Sequence, residues 1–388
     1  MGMIKKFLLS ELYDMASGIS SKKEQAGHGS PFVSFGTVFN NYFLPDELPD
    51  LMDTSEKEQE IYSIKENDVL VTRTSETIDE LAMSCVALKD YPSATYSGFT
   101  KRLRPKTEGI VYSKYLAFYL RGYLFRKAVT NNAFMTLRAS FNEDIFSFLN
   151  LYLPEYNDQV KIGDLLYSLE QKIQINNKIN DNLEHQLIDL FRYLFLQKGT
   201  ISTLPNGKLS DIAFITMGQS PTGDSYNEAQ QGCVFFQGST DFGIRFPFAR
   251  VYTKHPKRMA NTLDTLLSVR APIGAINIAF EDCCIGRGLA AIKGKNHNNA
   301  FVRYFLRNSQ QYFNNLNSNG TTFGSLTKDE LFAMPIFIPN QSDLFHFENI
   351  AYYAENLMLH NEIETRRLTV LRDWLLPMLM NGQATIDD

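Results

Sequence analysis

Long apolar runs are absent from this 388-residue sequence. No stretch of 18 apolar residues occurs, so the sequence predicts no membrane-spanning helix. The amino-terminal segment has a short apolar stretch that Glu11 interrupts, which does not fit a secretory signal peptide. We therefore expect a cytoplasmic protein that does not enter a membrane.

Cysteine is scarce and lacks the spacing of a metal site. None of the four cysteines forms a C-x-x-C motif, and adjacent Cys283 and Cys284 suit neither a metal clamp nor an unstrained disulfide. The six histidines include no pair at the spacing of a metal-binding helix. The sequence predicts that Cys85, Cys233, Cys283 and Cys284 are buried apolar side chains and that the chain holds no metal.

The motifs of several enzyme classes are also missing. There is no P-loop, no G-x-S-x-G turn and no Pro-Pro pair, which an adenine methyltransferase motif would contain. The segment GRGLAA over 286–291 lacks the G-x-G-x-x-G frame of a dinucleotide site. These absences favour a non-catalytic binding or scaffold protein that carries no cofactor of its own.

A weak repeat extends over almost the whole sequence. The matching pairs are Leu9–Ser10–Glu11 with Leu209–Ser210–Asp211, Gly18 with Gly218, 31–39 with 233–242, 67–75 with 263–272, 141–154 with 326–339, and Glu170, Asn176 and Leu183 with Glu355, Asn361 and Leu368. Because the matches keep one order, the sequence predicts an internal duplication. We expect an α+β fold, a tandem pseudo-repeat of two globular α/β domains separated by two long antiparallel coiled-coil helices. The predicted segments are 1–153, 154–200, 201–338 and 339–388.

The helical segments carry apolar residues at coiled-coil spacing. Within 160–197, which contains no proline, positions from Ile162 to Leu194 follow a strict four-three repeat. Asn176 and Asn180 interrupt it, either as buried residues that determine register or as residues that face solvent or a cap. In 343–376 a less regular stripe includes Ile350, Ala354, Leu357, Asn361, Glu364, Leu368, Leu371 and Leu375, before Pro377 stops or kinks the helix.

Charge is unevenly distributed around the net value of −5. Residues 201–338 have 13 basic and 9 acidic side chains, whereas 339–388 have 3 and 8. Basic clusters lie at 101–106, 121–127 and 249–258, the last two interleaved with aromatic residues, and the chain also has loops rich in short polar side chains. Such clusters can neutralise phosphates and reach base edges, although each alone also fits an ordinary solvated surface.

These features resemble the specificity (S) subunit of type I restriction-modification enzymes. The resemblance rests on GQSPTGDSYN (218–227), FFQGSTDF (235–242), LLSVRAPIGAINIA (266–279) and CCIGRGLAAIKG (283–294), which look like a target recognition domain, and on SLEQKIQINNKINDNLEHQLIDLF (168–191), which looks like a helical spacer. It covers nearly the whole chain and is weaker over 1–153.

The resemblance implies a mechanism. Each recognition domain would read one half of a bipartite target in double-stranded DNA, and the helices would set the spacing between the halves. Two methyltransferase (M) subunits would dock on the helices, and restriction-translocase (R) subunits would join the complex. S-adenosylmethionine, ATP and Mg²⁺ would belong to those partners, and no membrane would be involved.

The resemblance also suggests which residues act. The predicted DNA contacts are Lys101, Arg102, Arg104, Arg138, Gln219, Ser220, Thr222, Tyr226, Gln237, Ser239, Arg270, Thr321 and Thr322. For Arg270 and Arg287 the alternative is that they bind carboxylates and hold the fold. The predicted helix-packing residues are Leu169, Ile173, Asn176, Leu183, Leu187, Asn361 and Leu368. Three other functions stay open: a specificity subunit of a different restriction or modification system, a coiled-coil adaptor that binds only protein, and an uncharted enzyme.

Overall fold

The computed structural model describes residues 4–132, 139–197, 205–318 and 325–386. The chain divides into two compact units. Unit 1 contains Met1–Ile175 and Glu364–Asp388, and unit 2 contains Asn176–Ile363. Each unit therefore combines one globular domain with one half of each long helix, so that the unit boundary falls inside the helices.

The first globular domain mixes short strands and helices before the first long helix. Its elements are β1 (Lys5–Leu8), α1 (Leu9–Leu12), β2 (Tyr13–Ser17), β3 (Ala26–Val33), α2 (Phe35–Asn40), β4 (Asp50–Met52), α3 (Glu56–Ile61), β5 (Val69–Thr72), β6 (Thr74–Ser75), β7 (Ser84–Val86), β8 (Thr95–Tyr96), β9 (Thr100–Pro105), α4 (Ser113–Arg121), α5 (Tyr123–Asn132), β10 (Ala139–Ser140), α6 (Glu143–Phe148) and β11 (Asn150–Leu153). The long helix α7 (Tyr156–Arg192) follows and continues into a π-helical turn at Tyr193–Gln197.

The second globular domain repeats this order. Its elements are β12 (Gly207–Lys208), α8 (Leu209–Ile212), β13 (Ala213–Met217), β14 (Tyr226–Asn227), β15 (Cys233–Phe236), β16 (Tyr252–Thr253), β17 (Met259–Ala260), β18 (Thr265–Ser268), β19 (Ile276–Ile278), β20 (Cys283–Ile285), β21 (Leu289–Gly294), α9 (Asn299–Asn308), α10 (Gln310–Ser318), α11 (Lys328–Phe332) and β22 (Pro335–Ile336). The second long helix, α12, spans Gln341–Met380.

The sheet connections confirm the predicted duplication. A four-stranded antiparallel sheet has the order β2-β9-β5-β7 in unit 1 and β13-β21-β18-β19 in unit 2. A separate parallel pair, β3 with β8, corresponds to β15 with β20. The first and last strands of each domain also pair, β1 with β11 and β12 with β22. The two globular domains therefore share one α+β topology.

Each unit has an apolar core that includes its part of the long helices. In unit 1, Val69, Leu103 and Phe118 cluster with Leu166 of α7. In unit 2, Leu209, Leu267 and Phe301 cluster with Phe191 of α7 and Phe347 of α12. Burial of these side chains attaches each domain to its helix halves and contributes about 1.5–3 kcal/mol per residue.

The long helices pair in antiparallel fashion, as predicted, and asparagines lie between them in unit 2. Asn176 is fully buried and Asn361 nearly so. The Asn176 amide donates to the Asn361 carbonyl oxygen at 3.5 Å, and the Asn361 amide donates to Asn180 Oδ1 at 2.9 Å. Of the two possibilities for Asn176, the buried one is therefore correct.

The predicted apolar stripe of the second helix is partly wrong. Ile350, Leu357 and Leu371 are exposed, whereas the buried line of α12 includes Phe347 and Met358. The spacing is similar, but the stripe is rotated because the globular domains, as well as α7, cover this helix. Pro377 does not end the helix, which continues to Met380.

Buried carboxylates on both long helices are neutralised by arginines. In unit 1, Arg372 Nη1 donates to Glu170 Oε2 at 2.5 Å, and its guanidinium lies 5.2 Å from the Tyr42 ring centroid. In unit 2, fully buried Arg303 of α9 forms an ion pair with Glu355 of α12. Because a buried charge without a partner is costly, these pairs determine which elements can pack together.

The cysteine prediction holds for three of the four residues. Cys85, Cys283 and Cys284 are buried, whereas Cys233 is only half-buried, and all four are free thiols. Within the described ranges, no group of three or more histidine, cysteine or acidic side chains could hold a metal ion. None of the helices described is both long and apolar enough to cross a lipid bilayer.

Candidate nucleic-acid interface

One end of the second globular domain brings together residues from four separate loops. The Ser220 hydroxyl donates to Gln237 Oε1 at 3.0 Å and accepts the backbone N–H of Arg287 at 3.2 Å. The backbone N–H of Gln219 donates to the Ile285 carbonyl oxygen at 3.0 Å. Three of the predicted DNA contacts, Gln219, Ser220 and Gln237, are thus neighbours.

Two glycines let the loop that carries Arg287 press against Gln237. A Cβ at Gly286 would lie 2.9 Å from Gln237 Cα, and one at Gly288 would lie 2.6 Å from the Gln237 carbonyl oxygen. The Gly288 N–H donates to that oxygen at 3.1 Å. The GRG sequence therefore serves close backbone packing and holds the Arg287 side chain at the surface.

Arg270 extends the same surface from the end of β18. The Val269 N–H donates to the Gly288 carbonyl oxygen at 2.9 Å, and Arg270 forms a bridge with Ser325. The Arg270 and Arg287 side chains are both exposed. Neither guanidinium forms a hydrogen bond or ion pair with a side chain of the described ranges, which argues against the alternative that they hold the fold through carboxylates. We call Gln219, Ser220, Gln237, Arg270 and Arg287 the loop-end surface.

Thr222, Tyr226 and Ser239 border this surface with different roles. The Thr222 carbonyl oxygen accepts the Ser225 N–H at 3.1 Å, and the Thr222 side chain itself is exposed. The Tyr226 ring stacks on Phe235 at 4.8 Å, and its hydroxyl donates to the Pro221 carbonyl oxygen at 3.0 Å. Ser239 is half-buried at the start of a 3-10 turn. Tyr226 therefore supports the loop as well as facing solvent.

The basic cluster of the first domain differs from the prediction. Arg102 is buried and donates to the Ser63 carbonyl oxygen at 2.5 Å. Arg104 makes two hydrogen bonds to Asp68 at 2.8 and 2.6 Å, and this contact is the main cause that raises its pKa. Alternate residues of β9 face the same side, which directs Arg102 and Arg104 inward. Both side chains are therefore committed to contacts within the fold, which differs from the DNA contacts predicted for them.

Lys101 points to the opposite side of β9. Its ammonium donates to Ser17 Oγ at 2.9 Å, and partial burial together with the nearby Arg73 lowers its pKa. Arg73 is exposed and donates to the Gly98 carbonyl oxygen at 3.4 Å. Lys101 and Arg73 thus form a positively charged corner of unit 1, which the nearby Glu143 carboxylate partly offsets.

Some candidates were missed by sequence reasoning, and others lie outside the described residues. Arg138, Thr321 and Thr322 lie outside the described residues. Sequence reasoning missed the exposed residues Lys22, Lys23 and Arg73. The repeat offset of 200 residues places Lys22 and Lys23 opposite Thr222 and Gly223, so the duplication itself could have identified them.

The predicted helix-packing residues lie on the inner faces of the helices. Ile173, Asn176, Leu187 and Asn361 are buried, and Leu169, Leu183 and Leu368 are half-buried. Sequence reasoning missed the arginines that hold domain to helix in unit 2. Arg245 and Arg307 both pair with Glu184 of α7, in addition to the Arg303–Glu355 pair.

Comparison with known proteins identifies one family. The sequence profile of the type I restriction modification DNA specificity domain matches residues 4–185 and 206–371. A Methanocaldococcus jannaschii protein, provisionally named the type I restriction enzyme MjaX specificity subunit, is 26% identical over 397 residues, which cover 95% of this chain and 91% of that protein.

Two further proteins are similar over nearly their full length. The type I restriction enzyme HindI specificity subunit of Haemophilus influenzae is 22% identical over 446 residues, which cover 91% of this chain and 94% of that protein. The crystal structure of a type I restriction-modification S subunit from M. genitalium has a TM-score of 0.65 at 16% identity. It covers 100% of this chain and 97% of that chain, which shows a common fold.

Proposed function

This chain belongs to the type I restriction-modification DNA-specificity family, and we propose that each of its globular domains reads one half of a bipartite DNA target. Membership confirms the prediction of a non-catalytic specificity subunit with two DNA-specificity domains. The observation that carries the proposal is the duplication: two domains of one topology, each attached to a half of both helices. One double-stranded target with two separate halves fits this duplication.

The long helices have exposed apolar side chains that suit protein partners. In unit 2, Tyr352 and Tyr353 of α12 are 64% and 68% exposed. In unit 1, Val370 and Trp374 of the same helix are 70% and 58% exposed. Aromatic residues are enriched at the centres of protein interfaces. We propose that two methyltransferase subunits dock on these faces, one in each unit.

The remaining partners follow from the same proposal. Restriction-translocase subunits would join through the methyltransferase subunits, in a cytoplasmic complex. S-adenosylmethionine, ATP and Mg²⁺ would bind to the partners. The basic character of 201–338 and the positive corner at Lys101 would supply part of the phosphate neutralisation.

An exchange of recognition domains tests the proposal. Residues 209–338 are replaced by the second domain of another family member, and the complex with methyltransferase subunits is used to select duplexes from random sequence. We expect one half of the selected target to change and the other to persist. A change in both halves or in neither would contradict modular reading, and a lack of any sequence preference would favour a protein-only adaptor.

The choice of donor domain matters for this exchange. The replaced segment contains Arg245, Arg303 and Arg307, which neutralise Glu184 and Glu355 on the helices. A donor without these arginines would leave buried carboxylates unpaired, at a cost of about 3–5 kcal/mol. The donor must therefore carry arginine at all three positions, and the unfolding temperature of the chimera serves as the control.

A further inference from the structure

We propose that the second domain recognises a guanine in its half of the target, through the loop-end surface formed by Gln219, Ser220, Gln237, Arg270 and Arg287. This inference rests on the proposed function and extends it to the chemistry of the base. Its basis is that Gln237, Arg270 and Arg287 present hydrogen-bond donors at this surface.

The first step is the orientation of Gln237. Its carbonyl oxygen is occupied, because it accepts the Ser220 hydroxyl at 3.0 Å. The Ser220 oxygen in turn accepts the Arg287 backbone N–H at 3.2 Å. The exposed end of Gln237 is therefore its NH₂ group, which can donate two hydrogen bonds and accept none.

The second step is the pair of arginines. A guanidinium has five N–H donors and no acceptor. Arg270 and Arg287 lie at the ends of adjacent strands, joined by the Val269–Gly288 hydrogen bond at 2.9 Å. The segments 218–222, 237–239, 269–272 and 285–288 contain no aspartate or glutamate. Further along two of these loops, Asp224 forms a hydrogen bond with Thr222 and Asp241 pairs with Arg250. The segments that form the loop-end surface thus present no carboxylate to a base.

The third step is complementarity with the major groove. Guanine presents two adjacent acceptors there, N7 and O6, whereas adenine and cytosine each present an amino donor. Thymine presents one acceptor beside a methyl group. The Gln237 NH₂ group and the Arg270 and Arg287 guanidiniums match guanine, and these three groups are mismatched with the amino groups of adenine and cytosine.

The first domain lacks these side chains at the equivalent positions. Backbone hydrogen bonds define the equivalence: the Ile19 N–H donates to Tyr96, as Gln219 donates to Ile285, and the Ser97 N–H donates to Val33, as Gly286 donates to Phe236. By this correspondence Ser34 replaces Gln237 and Gly98 replaces Arg287. The Arg73 N–H donates to Phe99, as Val269 donates to Gly288, so Thr74 replaces Arg270. The inference therefore applies to the second domain alone.

Modified bases provide the test. The full chain, in complex with its methyltransferase subunits, is used to select its target, and each guanine of both halves is then replaced by 7-deazaguanine, which lacks the N7 acceptor. Arg287→Ala or Arg270→Ala should relax the sequence preference in one half of the target. In that half, we expect one 7-deazaguanine replacement to weaken binding of the wild-type complex about 5- to 150-fold at constant salt. In at least one of the two variants the same replacement should have less than about a twofold effect.

The control is Lys293→Ala, which removes one exposed cation from β21 several residues away from the loop ends. This variant should keep the full sensitivity to 7-deazaguanine. The inference is overturned if the half of the target read by the second domain contains no guanine, or if 7-deazaguanine in that half does not weaken binding. Neither result would contradict the proposal that the two domains read two halves of the target. A complex that selects no sequence at all overturns the proposed function and this inference together.

Discussion

At the residue scale, glycine occupies two equivalent positions where the chain passes very close to a neighbouring turn. A Cβ at Gly218 would lie 2.1 Å from the Gly286 carbonyl oxygen, and a Cβ at Gly18 would lie 2.2 Å from that of Ser97. Both contacts are with backbone atoms, which cannot move aside cheaply. The first of these turns carries Arg287, so Gly218 contributes to the position of the loop-end surface.

We predict that Gly218→Ala destabilises unit 2 by about 3 kcal/mol, because the new methyl group forces two backbone segments apart. Chemical denaturation would measure the loss. Gly223→Ala is the matched control, since a Cβ there would meet no atom within 4 Å and its φ is not in the left-handed region. Equal stability of the two variants would contradict the close-contact argument.

A second prediction at this scale concerns Glu348 of α12. Its carboxylate accepts the N–H groups of Phe301 at 2.7 Å and Ala300 at 3.2 Å, at the start of α9. Burial raises its pKa to about 7, despite these hydrogen bonds. The folded state therefore holds a proton that the unfolded chain releases near pH 4.5, so this residue lowers the free energy of unfolding as pH rises from about 4.5 to 7.

Glu348→Gln removes this titration and keeps one acceptor for the helix. Between pH 4.5 and 7 the free energy of unfolding should fall less in the variant than in the wild type, by up to about 3 kcal/mol. Thermal unfolding at several pH values would show a flatter profile for the variant than for the wild type. Parallel profiles for the two proteins would mean that Glu348 keeps its ordinary titration in the folded state.

At the element scale, three asparagines interrupt the apolar contact between the long helices. Asn176, Asn180 and Asn361 hydrogen-bond across the helix pair in unit 2. A helix that slid by one turn would break these hydrogen bonds. Buried asparagines in coiled coils act in this way to select one register at a cost in stability.

Replacement of one asparagine should therefore cost more than replacement of two. We expect Asn361→Leu to destabilise the protein by about 1–3 kcal/mol, because it removes the amide that donates to Asn180 Oδ1 at 2.9 Å. Adding Asn180→Leu, which removes the unpaired acceptor, should recover most of that loss through apolar packing. A double variant that is no more stable than Asn361→Leu, by denaturant titration, would show that the amides do not act as a group.

At the scale of the whole molecule, we propose that the two long helices set the distance between the two halves of the target. Insertion of seven residues preserves the heptad repeat and lengthens a helix by about 10.5 Å, or about three base pairs of DNA. We predict that insertion after both Ile175 and Ile363 lengthens the spacer of the selected target by about three base pairs. Insertion in one helix alone is the control and should lower the unfolding temperature. An unchanged spacer with both insertions would show that the helices do not set the distance between the two halves of the target.

The same scale shows how the two copies have diverged. Glu170 and Glu355 are separated by the repeat offset of 185, and both are buried on a long helix. In unit 1 the partner is Arg372, from the other long helix, whereas in unit 2 it is Arg303, from the recognition domain. The second domain is thus held on its helices partly by charge, and a first domain moved to its place would not supply that charge.

Sequence alone determined the features that depend on local or repeated patterns. The duplication, the two long helices and the family resemblance all follow from residue spacing, because helices and strands impose fixed periods on their side chains. The polar loops that contain Gln219, Ser220 and Gln237 were also identified, since short polar side chains between apolar strands mark exposed turns.

Tertiary structure alone decided what depends on neighbours that are distant in sequence. Arg102 and Arg104 resembled DNA contacts until Asp68 and Ser63 were placed against them, and the exposed Ile350 and Leu357 appeared to belong to the core stripe. An arginine side chain is equally suited to a phosphate and to a buried carboxylate, so only its surroundings distinguish the two roles. The donor character of Gln237 likewise arises from Ser220, which lies 17 residues away in sequence and 3.0 Å away in the fold.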